Sequence, residues 1–195
     1  PAKAEVSRMI FRGNKARLYG GACEVEEGAQ LTLDHTLFSG NSADQSGGAL
    51  AVVTQRSDAT TVTMSDSVLR GNSALSGGGI YLTLNPTLRF SVDDSVFEEN
   101  IAIDSGGGAI CALGGPSCAG LPCIFSVDFS RFHDNRAPIG EGGAVLLEKA
   151  DSRITRSKFS GSAMSSEFGP ECQEIREQEA IGVLSSDQRS QDICG

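Results

Sequence analysis

Tryptophan is absent from this 195-residue chain, and aromatic residues make up only 6% of it. Large aromatic side chains therefore cannot fill most of its core, and packing has to rest on small and branched residues. No run approaches the roughly 18 consecutive apolar residues of a membrane-spanning helix, and no positively charged, apolar leader stands at the start. Basic residues are also few: 16 Lys and Arg against 25 Asp and Glu, a formal charge of −9, with the basic positions scattered singly. Binding to nucleic acid or attraction to anionic membrane needs clustered positive charge and is not expected. His35 and His133 are the only histidines. Neither lies in an HExxH or Cys/His spacing, and no GxxxxGK[ST] phosphate loop exists. The single Asn-x-Thr match, Asn85-Pro86-Thr87, is blocked as a glycosylation site by its proline.

What the chain has instead is 24 glycines and a phrase that returns. It reads Phe11-x-x-Asn14-x-Ala16 with Gly20-Gly21-Ala22, then Phe38-x-x-Asn41-x-Ala43 with Gly47-Gly48-Ala49. It continues as Leu69-x-x-Asn72-x-Ala74 with Gly77-Gly78-Gly79, Phe97-x-x-Asn100-x-Ala102 with Gly107-Gly108-Ala109, and Phe132-x-x-Asn135-x-Ala137 with Gly142-Gly143-Ala144. A worn sixth start, Phe159-Ser160-Gly161-Ser162, lacks the glycine pair. Successive asparagines lie 27, 31, 28 and 35 residues apart. The excess falls around Gln55 and in Gly114 to Cys123, as insertions into one side of a repeating unit do.

Within each unit the apolar residues alternate with period two and never hold a helical period. Leu31 and Leu33, Val62 and Met64, Phe90 and Val92, and Phe125 and Val127 precede the Phe slot. Leu50 and Val52, Ile80 and Leu82, and Val145 and Leu147 follow the glycines. The pattern predicts about three short strands per unit, each with one buried face, and no Asn-Gly or Asp-Gly hairpin turn separates them. Stacking each strand on its equivalent in the next unit buries those faces. The chain is expected to be an all-β parallel β-helix of about five to six coils over residues 1–164, with an irregular disulfide-bearing cap or linker over 165–195. Phe11, Phe38, Leu69, Phe97 and Phe132 would form a core ladder, and Asn14, Asn41, Asn72, Asn100 and Asn135 would turn the chain, tolerating left-handed backbone angles, while their amides bond from coil to coil. The glycine pairs would supply backbone angles that a Cβ forbids.

These paired FxxN and GGA(I/L/V) motifs resemble the polymorphic outer membrane protein repeats of chlamydial surface proteins, over roughly residues 4 to 160. The resemblance implies a right-handed parallel β-helix related in fold to pectin lyases, and an adhesive or structural role at a cell surface.

Fold analogy also points to a rival, a polysaccharide-degrading lyase or glycoside hydrolase, with the adjacent carboxylates Asp93 and Asp94 as acid and base. Alignment of the units puts Asp93 in the slot of Asp34, Ser65 and Asp128, and Asp94 in that of His35, Asp66, Phe129 and Arg156. Recurrence by register favours solvated or turn-capping residues over catalysis. Asp44, Asp104 and Glu141 precede glycine turns without the nonapeptide of calcium-binding β-rolls. No catalytic, cofactor or metal residue is assigned.

Six cysteines fit an oxidising compartment and an extracellular or cell-surface location. Cys23 occupies an inward slot and reads as a buried thiol. Cys111 should face outward, toward the insertion that carries Cys118 and Cys123, with one bridge pinning that loop; Cys172 and Cys194 most simply pair with each other. The start at Pro1 reads as a processed product or an excerpt of a longer chain. The function expected is that of a non-enzymatic extracellular rod, filament subunit or adhesive scaffold, with contacts at the loops near Gln55 and Pro116. The partners expected are other protein chains, copies of itself head to tail, and surface glycans.

Overall fold

A computed structural model describes residues 2–54, 58–115, 118 and 123–164. The loop positions at Gln55 and Pro116, and residues 165–195 with Cys172 and Cys194, lie outside the described residues.

Four parallel sheets run along the axis of a β-helix. The first holds Lys3–Ser7, Gln30–Asp34, Thr60–Ser65, Leu88–Asp93, Ile124–Asp128 and Asp151–Thr155 in that spatial order. The second holds Ile10–Arg12, Leu37–Ser39, Val68–Arg70, Val96–Glu98, Arg131–His133 and Lys158–Ser160, with the Phe slot at each centre. The third is made of two-residue strands from Lys15–Ala16 to Ala163–Met164, and the fourth of five strands from Cys23–Val25 to Val145–Glu148. Five coils are complete and a sixth contributes to three sheets. The sequence predicted three strands per coil where there are four, because a two-residue strand is too short to display alternation.

Register is strict, so like residues meet. Phe11 pairs with Phe38, Phe38 with Leu69, Leu69 with Phe97, Phe97 with Phe132, and Phe132 with Phe159. Phe11 and Phe38 stack with ring centroids 5.0 Å apart, Phe97 and Phe132 at 4.7 Å, and Phe132 and Phe159 at 4.6 Å. Leu69, fully buried, divides this column into a pair and a triple of rings. A second stack, Phe90 on Phe125 at 5.8 Å, lines the first sheet. Around them Leu33, Leu50, Met64, Ile80, Leu82 and Leu88 fill the interior, which compensates for the scarcity of aromatics.

The two glycines of each pair do different work. The first, at Gly20, Gly47, Gly77, Gly107 and Gly142, has φ between 59° and 74°. The second lies against the next coil: a Cβ on Gly48 would run into the Gly78 carbonyl, and one on Gly78 into the backbone of Ile101 and Gly108. One glycine provides the bend and the other the clearance.

Phe97→Ala should lower stability by about 3–5 kcal/mol in urea unfolding, the usual cost of emptying a fully buried aromatic site. Gly78→Ala should cost stability without removing any side-chain contact, because backbone must shift to admit the methyl group. Wild-type unfolding midpoints for either variant would contradict this account.

Candidate functional site

Three columns of polar residues run along the stack, and separating them decides what the surface can do. The first is the asparagine ladder. Asn41, Asn72, Asn100 and Asn135 are fully buried. Each Oδ1 accepts from both the backbone N–H and the amide of the asparagine one coil earlier: Asn41 N–H to Asn72 Oδ1 is 2.9 Å and Asn41 Nδ2 to the same atom 3.0 Å. Asn72 to Asn100 and Asn100 to Asn135 repeat the pair. Each Nδ2 also donates to the carbonyl of the Phe-slot residue one coil back, as Asn100 does to Leu69 at 2.8 Å and Asn135 to Phe97 at 2.9 Å. The left-handed backbone angle expected of asparagine falls instead on the residue before it, at Gly13, Gly40, Gly71, Glu99, Asp134 and Gly161. Asparagine is absent from the positive-φ residues because its side chain is committed to the axial bonds. At Ser162 the ladder ends, and the buried Ser162 Oγ has no hydrogen-bond partner.

The second column was not anticipated. Thr36, Ser67, Ser95 and Ser130, two residues before the Phe slot, are each 1% exposed. The backbone N–H of each donates to the hydroxyl one coil later, from Thr36 to Ser67 Oγ at 3.1 Å through to Ser130 to Ser157 Oγ at 3.1 Å. Each hydroxyl in turn donates to the carbonyl two residues back, as Ser95 does to Asp93 at 2.8 Å. The residue between is in the left-handed region at every coil: Arg8, His35, Asp66, Asp94, Phe129 and Arg156. The recurrence of Ser or Thr at Phe minus two was the available signal.

The third column is this same corner seen from outside, and it holds the candidate carboxylates. Asp93 pairs in register with Ser65 on one side and Asp128 on the other, and Ser65 with Asp34. Asp34 accepts from Ser65 Oγ at 3.0 Å and Ser7 Oγ at 3.1 Å and bonds the His35 ring at 2.8 Å. The His35 contact foremost, helped by the two hydroxyls, holds the Asp34 carboxyl below the usual carboxylate range. Asp128 is held low chiefly by the Arg156 guanidinium, with Thr155 Oγ1 and the Phe129 N–H assisting. Arg156 also lies 3.9 Å from the Phe129 ring centroid. Ligand atoms of Asp34, His35 and Asp66 fall within 4.8 Å of one another, a spacing a cation could bridge, on an exposed corner whose Asp34 is already hydrogen-bonded. His133 bonds Ser160 Oγ at 2.9 Å and lies 3.0 Å from Asp134, away from that corner. Asp44 pairs with Lys15 at 3.5 Å.

The four cysteines among the described residues separate into a bridge and two thiols. Cys118 and Cys123 form a disulfide that closes the insertion. Cys111 is free and only 1% exposed. Of the three disulfide candidates around the insertion, Cys111 is the one outside the bridge. It stands in the column of Ala51, Tyr81 and Leu146 on the outer side of the fourth sheet, where Ser76, from the glycine corner one coil earlier, donates to its sulfur at 3.3 Å. Burial, partly offset by that hydrogen bond, pushes the Cys111 thiol up to about 11. Cys23, in register with Leu50, is half-buried and free.

Two stretches, residues 35–52 and 94–113, match the family model of the Chlamydia polymorphic membrane protein repeat. Each runs from the left-handed corner through the Phe and Asn slots to the strand after the glycines. No curated protein and no solved structure matches the chain. These two stretches are thus similar to the Chlamydia polymorphic membrane protein repeat, and the chain that contains them is wound as a parallel β-helix.

Asn100→Ala should cost about 3 kcal/mol or more, since it strands the N–H and amide of Asn72 in a dry interior at about 1–3 kcal/mol each. Asp93→Asn should stay within about 0.5 kcal/mol. Equal losses for the two variants in chemical unfolding would refute the division into structural and surface columns. A thiol with a raised pKa stays protonated at pH 8.5, so Cys111 should escape iodoacetamide in the native protein and react after unfolding in urea; equal labelling in both states would overturn its burial.

Proposed function

We propose that this chain is a non-enzymatic β-helical scaffold at a cell surface or outside the cell, working as a rod, a filament subunit or an adhesive surface. One observation carries the reading. The only adjacent carboxylate pair that fold analogy offers for catalysis, Asp93 and Asp94, belongs to two columns that recur by register: Asp93 lies between Ser65 and Asp128, Asp94 fills the left-handed corner slot that holds His35, Asp66, Phe129 and Arg156 in other coils, and Asp128 is already engaged by Thr155 and Arg156. Paired-carboxylate hydrolysis needs one acid kept protonated and one base kept charged, set by different surroundings. The repeat match supports a place at a cell surface, since the family it names is one of membrane proteins. The Cys118–Cys123 bridge fits an oxidising compartment.

The decisive measurement is incubation of the purified chain with acidic polysaccharides, read by reducing-end release and by absorbance of unsaturated products. Intact polymer is expected. Depolymerisation that disappears in Asp93→Asn/Asp94→Asn would replace this reading with an enzymatic one.

A further inference from the structure

Outward positions of the stack are free to be polar, and at one corner they are not. The residue after the third-sheet alanine is Arg17 and then Asp44 in the first two coils, but Leu75, Ile103 and Pro138 in the next three. Register stacks these residues. Ala74 pairs with Ala102, and the Ile103 N–H donates to the Ala74 carbonyl at 2.8 Å. Ile101, outward on the third sheet, pairs with Ser73 on one side and Arg136 on the other, which sets Ile103 beside Pro138. Gly140 packs on the Ser105 backbone and so brings Ile139 alongside the same corner. Leu75, Ile101, Ile103 and Ile139 are all exposed, Ile139 by 70%. Single exposed aliphatics are ordinary, but a continuous strip of them across three coils marks a contact surface.

We propose that this strip docks residues 180–184 of the same chain. The occupant follows from where the described residues leave the stack. Met164 pairs with Ala137 in the third sheet, so the chain departs at the corner that carries the strip, one coil beyond Pro138. Residues 165–195 follow, a length too small to bury aliphatic side chains in a core of its own. Within it Ile181, Val183 and Leu184 crowd into a single short run bounded by Glu179 and Ser185. Reach is ample. From Met164 to residue 180 the chain can extend about 50 Å, whereas the sixth coil stands only about 14 Å from the third along the axis. Attachment within that distance gives the segment an effective concentration on the order of millimolar at the strip, which a free partner has to exceed.

The inference holds for a scaffold or an enzyme alike, so its test is separate from the polysaccharide assay. Chymotrypsin cuts after leucine, and Leu184 lies in the docked segment. Cleavage there, followed by mass spectrometry on the folded 195-residue chain, should be at least about tenfold slower than in a free peptide of residues 175–195, because the protease acts on the undocked population. Ile103→Asp and Ile139→Asp should each remove most of that protection, while Ile10→Asp, at an exposed aliphatic of the second sheet, should leave it intact. Ile181→Asp, which leaves the stack untouched, should release the segment as fully when compared with a peptide carrying the same change. Circular dichroism should show every variant folded. Cleavage of the wild-type chain as fast as the peptide overturns the proposal. Protection indifferent to Ile103→Asp and Ile139→Asp, as a tail closing the sixth coil would give, overturns it too, and so does protection that fades on dilution, which would make the occupant a second copy.

Discussion

Parallel hydrogen bonding between coils, at a rise of about 4.8 Å, is the constraint from which the rest of this structure follows. It brings every residue beside its own equivalent, so a side chain can be buried only if it tolerates a copy of itself above and below. Phenyl rings meet that condition by stacking and branched aliphatics by interlocking. Among polar groups the condition is severe. A carboxylate or ammonium column inside the core would repel itself in low dielectric, whereas an amide and a hydroxyl each carry a donor and an acceptor and can pass hydrogen bonds along the axis. Asparagine and serine or threonine are what the two buried columns contain, from Asn41 to Asn135 and from Thr36 to Ser130.

The ladders are also directional. Both accept hydrogen bonds from the coil before, so each coil prepares the acceptor that the preceding coil needs. A break is felt on one side. Ser162 cannot offer the amide that Asn135 offers Asn100, and Met9 puts a thioether where later coils put a hydroxyl. The stack is therefore most regular between the second and fifth coils, where the fully buried side chains concentrate.

Much of this was legible in the sequence because a solenoid writes its contacts at fixed offsets. Phe, Asn and the glycine pair recur as single letters, so the parallel stack and its phenyl and amide columns could be inferred without any long-range information. The hydroxyl column stayed hidden because Thr36, Ser67, Ser95 and Ser130 sit among other small polar residues, where burial of one hydroxyl leaves no hydrophobic trace. The backbone angle was assigned to asparagine by propensity. The structure gives it to the residue before, glycine in four coils and Glu99 and Asp134 in two. The burial of the outward-facing Cys111 stayed hidden for a related reason: alternation orients a side chain toward or away from the core, but cannot show that a glycine corner folds back over the outer face of the sheet.

Where inward columns must repeat, outward ones are free to differ, and specificity has to lie in an outward residue that breaks its column. Phe129 is such a break. It is 50% exposed and left-handed, in a column otherwise filled by charged residues and His35. A bulky side chain seldom adopts that backbone conformation. Its surroundings explain how it is held: Asp128 fixes Arg156, Arg156 covers one face of the ring, and the Phe129 N–H returns to Asp128 at 3.0 Å. The three side chains close on one another across two coils, so the feature that first suggests a binding platform satisfies itself and staples the fifth coil to the sixth. The same logic that makes Asn100 irreplaceable inside the stack makes this cluster a local fastening outside it.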